Sequence, residues 1–168
     1  MTRRFLLLAL AALTGASAVT LPRPAEDLKF ITPTGPVLLS QYRGKVTVIA
    51  FALSNCEDCH KLMGLFNSIQ KDLGPRGFQA IVGVFNIEST KGLGPLLSSF
   101  QPSYPMGMIQ SESVVAFTQV TPEMKPTAPI MVIVDRKGMI RAQFLGSDKI
   151  FRGNANANLR AEFEKYLK

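Results

Sequence analysis

Residues 46–63 read Val46-Thr-Val-Ile-Ala-Phe-Ala-Leu-Ser-Asn-Cys-Glu-Asp-Cys-His-Lys-Leu-Met63. Val46–Leu53 is an almost unbroken apolar run, rich in β-branched side chains and without alternation. A strand of this kind is covered on both faces, as in a parallel sheet. Ser54-Asn55 ends the run, Cys56-x-x-Cys59 follows at once, and helical periodicity begins. The stretch therefore predicts two thiols on the first turn of a helix, at the carboxyl end of a buried strand. Backbone N–H groups at a helix start are unpaired and carry partial positive charge, which favours a thiolate at Cys56. Cys59 lies one turn on along the same face, placed to attack a mixed disulfide formed at Cys56.

The compartment follows from the first residues. Thr2-Arg3-Arg4 is a basic start, Phe5–Leu13 an apolar run, and Ala16-Ser17-Ala18 a small-x-small cleavage site. Residues 1–18 read as a signal peptide and 19–168 as one domain, exported to the periplasm. The apolar run is short for a membrane span, and an uncleaved N-terminal anchor is the alternative. No cysteine stands near the cleavage point, so lipid attachment there is excluded. In an oxidising compartment two neighbouring thiols form a disulfide unless something reduces them. A ring of four residues restrains the unfolded chain very little, so this pair points to redox work or covalent attachment, not to a staple.

Composition sets broad limits. Hydrophobic residues make up 46% of the 168, enough for a core. The formal charge of +7 is spread without a dense Lys/Arg run. This describes a solvated basic surface, and nucleic acid is not an expected partner. There is no internal repeat and no linker that would divide the chain.

Along the chain, Leu21–Asp27 reads as an extended lead-in. Leu28–Ile31 and Val37–Leu39 flank a turn cluster and form a hairpin. Ser40–Lys45 is a short helical turn. Cys56–Leu73 is a helix with Leu62, Leu65, Phe66, Ile69 and Leu73 on one stripe, stopped by Gly74-Pro75. Phe78–Phe85 is a second buried strand, which completes a βαβ unit. Thr90–Phe100 is a weaker helix containing Pro95, Tyr104–Ile109 a short strand, and Ser111–Val120 a helix capped by Ser111 or Ser113. Ile130–Val134 and Met139–Leu145 are strands joined by the turn Asp135–Gly138. Asn154–Lys168 is an amphipathic helix.

Three features now carry a family resemblance. Tyr42-Arg43-Gly44-Lys45 leads into the strand before Cys-x-x-Cys. Ala128-Pro-Ile-Met-Val-Ile-Val-Asp-Arg-Lys-Gly138 is similar to a Thr-Pro-x-x-x-x-x-Asp-x-x-Gly stretch. Thr90–Val120 is extra sequence between two halves. On these, Leu28–Lys168 resembles the exported thioredoxin-fold proteins of the TlpA type, thiol–disulfide oxidoreductases of bacterial cell envelopes. The resemblance implies an α/β fold, a thioredoxin-like three-layer sandwich with a mixed central sheet, an N-terminal hairpin and a central insertion. It also implies that Pro129 is a cis-proline facing the active site, and that Ala128 offers its backbone to a substrate strand.

The departures are equally specific. Asn55 stands where the family has tryptophan before the first cysteine. Ala50 occupies the position of the buried carboxylate of thioredoxins, and Leu62 that of a glutamate found in some TlpA-type reductases. Neither usual proton acceptor for the resolving thiol is present, which leaves Glu57, His60, Glu88 or water.

The expected activity is thiol–disulfide exchange, with Cys56 as attacking and Cys59 as resolving cysteine. Glu57 and Asp58 also oppose a thiolate at Cys56, which favours the disulfide form and a reducing role. No cofactor or metal is expected. The partners would be protein or small-molecule thiols and disulfides, with a membrane-bound electron donor as one source of reducing equivalents, and the chain would act as a monomer. The rival is an envelope protein that holds haem or copper on Cys56, Cys59 and His60, because Cys-x-x-Cys-His also fits covalent haem attachment. Peroxidase chemistry is excluded by Ile49 and Leu53, which stand where its proline and threonine belong.

Overall fold

The computed structural model describes residues 19–168. The signal-peptide reading of residues 1–18 lies outside them. No helix among the described residues is long and apolar enough to cross a membrane.

The apolar run folds as expected, as strand β4 (Val46–Ala52), and every one of its residues is buried. Its partners are β5 (Phe78–Val84), parallel, and β7 (Ile130–Val134), antiparallel. Helix α1 (Glu57–Leu73) connects β4 to β5. Alternate β4 residues serve opposite layers. Val46, Val48, Ala50 and Ala52 face the core beneath α1 and α4 (Ala155–Glu164), with Phe66, Ile69, Leu159 and Phe163. Ile49 and Phe51 face the other core, with Phe30, Val114 and Phe117. A strand with helices on both sides has no wet face, which is why its sequence does not alternate.

The sheet has eight strands in the order β1-β8-β7-β4-β5-β6-β2-β3, where β1 is Arg23–Pro24, β2 Lys29–Thr32, β3 Gly35–Leu38, β6 Met106–Met108 and β8 Met139–Phe144. The architecture is the mixed α/β sandwich that the sequence predicts. The insertion is more than an appendage. Its strand β6 pairs in parallel with β5 and antiparallel with β2, so it fastens the N-terminal hairpin to the sheet.

Several local expectations change. The lead-in contributes β1, an edge strand antiparallel to β8. Thr90–Phe100 divides into a 3-10 turn, Thr90–Leu93, and α2 (Gly94–Phe100), with Pro95 in the first turn of α2 where its missing N–H costs nothing. Helix α3 (Ser111–Thr118) has Gln110 at its N-cap and no side-chain cap; Ser111 Oγ donates instead to the Phe85 carbonyl. On α1, Met63 is buried and Leu65 only partly so. The Tyr104 hydroxyl donates to the Met63 carbonyl at 2.8 Å, and its ring meets Phe66 edge-on at 5.8 Å. Burial pushes the Tyr104 pKa well above its ordinary value.

Phe66 thus joins α1 to the insertion and, through Phe163, to α4. Phe66→Ala leaves a cavity at that junction and is expected to cost about 3–5 kcal/mol, read from urea denaturation of the oxidised protein. A loss under about 1 kcal/mol would show that the three elements pack independently.

Candidate active site

The chain leaves β4 through Leu53-Ser54-Asn55 and enters α1 at Cys56, the N-cap residue. The turn is tight: Cys56 N–H donates to the Leu53 carbonyl at 3.3 Å, and His60 N–H to the Cys56 carbonyl at 3.0 Å. Cys56 and Cys59 are joined as a disulfide, with Cα atoms 5.2 Å apart. Cys59 is 1% exposed and packs into the core with Ala50 and Leu62. Cys56 is only partly buried, so it is the sulfur that an incoming group reaches first. The Cys59 N–H points at Cys56 Sγ, 3.2 Å away. In the reduced protein the same contact would stabilise a Cys56 thiolate.

Opposite this sulfur lies the loop before β7. The Ala128–Pro129 peptide is cis. The Ala128 carbonyl oxygen lies 3.8 Å from Cys56 Sγ. Sequence reasoning missed the residue that holds this loop. Gly146, just after β8, donates its N–H to the Thr127 carbonyl at 2.8 Å. A methyl group on Gly146 would overlap the Ala128 carbonyl and come within 3.0 Å of the Thr127 oxygen. Only glycine allows this approach, and nothing local in the sequence says which loop lies against it.

The residues considered as proton relays sit elsewhere. Glu57 is exposed and pairs with Lys61 at 2.9 Å. Glu88 is exposed on the loop after β5. His60 Nε2 lies 2.8 Å from the Ser54 carbonyl, which can only accept, so this nitrogen carries the proton. Its ring lies against Phe100 at 5.5 Å, which ties the Cys56 turn to the insertion. None of the three hydrogen-bonds to either sulfur. Asp58 pairs with Lys61 at 3.2 Å and Arg152 at 3.5 Å. The two carboxylates expected to oppose a Cys56 thiolate therefore have cations beside them, and their effect is smaller than the sequence implies. Arg152 also donates to the Gly146 carbonyl at 2.9 Å, joining α1 to the loop behind Ala128.

On the far side of Cys56, Ser54 N–H donates to Asn86 Oδ1 at 2.7 Å, and Asn86 Nδ2 to Asn55 Oδ1 at 3.2 Å. Among the described residues, no three or more His, Cys, Asp or Glu side chains converge to hold a metal ion.

No protein-family model matches the sequence, and no curated protein matches it. Solved structures match it closely in fold. One is described as thiol:disulfide interchange protein DsbE from Chlorobium tepidum, with a TM-score of 0.77 at 20% identity over 90% of this chain and 100% of that one. Another is a thioredoxin-family thiol:disulfide interchange protein from Chlorobium tepidum TLS, with a TM-score of 0.72 at 20% identity and the same coverage. A third is the thioredoxin domain of a thiol–disulfide oxidoreductase from Bacteroides vulgatus, with a TM-score of 0.72 at 17% identity, again over 90% and 100% of the two chains. The fold is thioredoxin-like.

Gly146→Ala is expected to lower stability by about 1–3 kcal/mol, measured by thermal or urea denaturation, because the methyl group meets backbone atoms that have no room to retreat. A Gly146→Ala protein as stable as wild type would show that the Ala128 loop gives way freely.

Proposed function

We propose that this thioredoxin-fold protein is a thiol–disulfide oxidoreductase of the TlpA type, acting outside the cytoplasm. The observation that carries the reading is one juxtaposition: a reachable sulfur at a helix N-cap, bonded to a buried second sulfur, facing the Ala128 carbonyl. The solved structures similar in fold are described as thiol:disulfide interchange proteins, which supports the reading. The exported location rests on residues 1–18 read as a signal peptide.

The chemistry starts from the reduced pair. The Cys56 thiolate attacks one sulfur of a substrate disulfide. A Cys56–substrate disulfide forms, and the other substrate sulfur leaves as a thiolate with the electron pair. Cys59 then loses its proton and attacks Cys56 Sγ. The Cys56–Cys59 bond closes and the second substrate thiol departs. Two electrons pass to the substrate, and a dithiol donor restores the pair. Among the described residues no side chain is poised to take the Cys59 proton, so water or the departing substrate thiolate accepts it. Among the described elements, α1 supplies the partial positive charge that lowers the cost of the first step.

Haem attachment through the same cysteines needs both sulfurs at the surface. Cys59 packs inside the core, and the His60 ring is held on the Ser54 carbonyl, so the geometry favours exchange. An apolar groove of about 360 Å³ begins at Leu53 and Ala128 and continues beside Val115, which is 52% exposed. It offers room for a side chain next to the reacting cysteine, which suits protein substrates.

With excess dithiothreitol as donor, the wild-type protein is expected to speed the reductive precipitation of insulin, followed by turbidity. Cys56→Ala should abolish the effect. Cys59→Ser, reduced and then freed of dithiothreitol before insulin is added, should stop after one event and leave an insulin adduct visible by mass spectrometry. Insulin precipitating no faster than with dithiothreitol alone would end this reading.

A further inference from the structure

Asn55 is exposed, stands directly before Cys56, and has no part in the exchange steps. Its side-chain orientation is fixed by a relay of hydrogen bonds whose first donor is unambiguous. A backbone N–H can only donate. The Asn86 atom that meets the Ser54 N–H is therefore Oδ1. The other end of the Asn86 amide is then its NH2 group, which faces the Asn55 side chain. The Asn55 atom that meets an NH2 group must accept, so it is Oδ1. What remains is Asn55 Nδ2, a donor that makes no hydrogen bond among the described residues.

The sheet decides where this donor lies. Strand β4 runs between β5, which leads into Asn86, and β7, which follows Ala128. Cys56 stands above the end of β4. On one side of its sulfur is a carbonyl acceptor, Ala128 O. Asn55 is held instead by Asn86, on the loop after β5, the neighbour of β4 opposite β7. An acceptor on the β7 side and a donor held from the β5 side of the chain that carries Cys56 match the alternating C=O and N–H groups of an extended main chain. A small disulfide has no such groups.

We propose that Asn55 Nδ2, held outward by Asn86, donates to a main-chain carbonyl of the substrate and makes extended polypeptide disulfides the preferred substrate class. The proposal rests on the exchange reading.

The test uses the reduced protein and two mixed disulfides with the same chromophoric leaving group, 5-thio-2-nitrobenzoate. One carries it on the cysteine of a short unstructured peptide, the other on 2-mercaptoethanol. In both, the Cys56 thiolate attacks the non-chromophoric sulfur, the S–S bond breaks, and nitrothiobenzoate leaves with the electron pair. The readout is the ratio of second-order rate constants, peptide over mercaptoethanol. Two variants are compared with wild type. Asn55→Leu removes the donor at similar size. Asn86→Asp keeps an acceptor for Ser54 N–H but offers Asn55 a second oxygen, which turns Nδ2 inward. Any general effect of its charge on the Cys56 thiolate cancels in the ratio.

Loss of one such hydrogen bond is expected to lower the ratio roughly three- to tenfold in both variants. An unchanged ratio in either variant, whether the two rates stay constant or fall together, overturns the role of Asn55. A wild-type protein that releases nitrothiobenzoate from neither probe overturns the exchange reading itself, and this proposal with it.

Discussion

The antiparallel pairing of β4 with β7 is the constraint from which the site follows. Phe51 lies opposite Ile130. The chain that leaves one strand and the chain that enters the other are therefore neighbours, and Cys56 meets Ala128 across 72 residues of sequence. Both strands are buried on both faces, so neither can slide by a residue without turning its core side chains out of register. The separation between sulfur and carbonyl is set by the sheet, not by the loops that carry them. Gly146 completes the arrangement by letting the end of β8 press against the Ala128 loop.

The two sulfurs occupy unequal environments, and on the proposed exchange reading that inequality separates their roles. Cys56 has an amide N–H aimed at it, at the end of a helix whose first-turn carboxylates are paired with Lys61 and Arg152. Cys59 lies among Ala50, Leu62 and other apolar side chains. On that reading an incoming group meets the first sulfur, and the second is reached only through a mixed disulfide formed beside it.

The insertion supports the Cys56 turn from the side. Phe100 holds the His60 ring, and His60 holds the Ser54 carbonyl. Tyr104 donates to Met63 in the second turn of α1, and Asn67 Nδ2 donates to the Phe100 carbonyl at 2.7 Å. The one histidine of the chain is thus occupied with positioning. Its place beside Cys59 in sequence does not place its ring beside the Cys59 sulfur, because successive helical residues point in directions about 100° apart.

Much of this was legible in the linear sequence, and the reason is local physics. An unalternating β-branched run can only be a strand with two covered faces, and a Cys-x-x-Cys that opens a helix puts two thiols one turn apart. Those facts hold at Val46–Leu53 and Cys56–Leu73 whatever surrounds them. The cis peptide at Pro129 came from resemblance, not from any local rule. Gly146 against Ala128, Asn86 beneath Ser54 and Asn55, and the pairing of Asp58 with Arg152 were hidden, because each joins residues that only strand order and register bring together. The β1 strand was missed for the same reason: Arg23–Pro24 is extended because β8 has a free edge there, not because its residues favour a strand. Side-chain periodicity is a property of neighbours along the chain. The shape of the redox mouth is a property of neighbours across the sheet, and only the tertiary structure decides those.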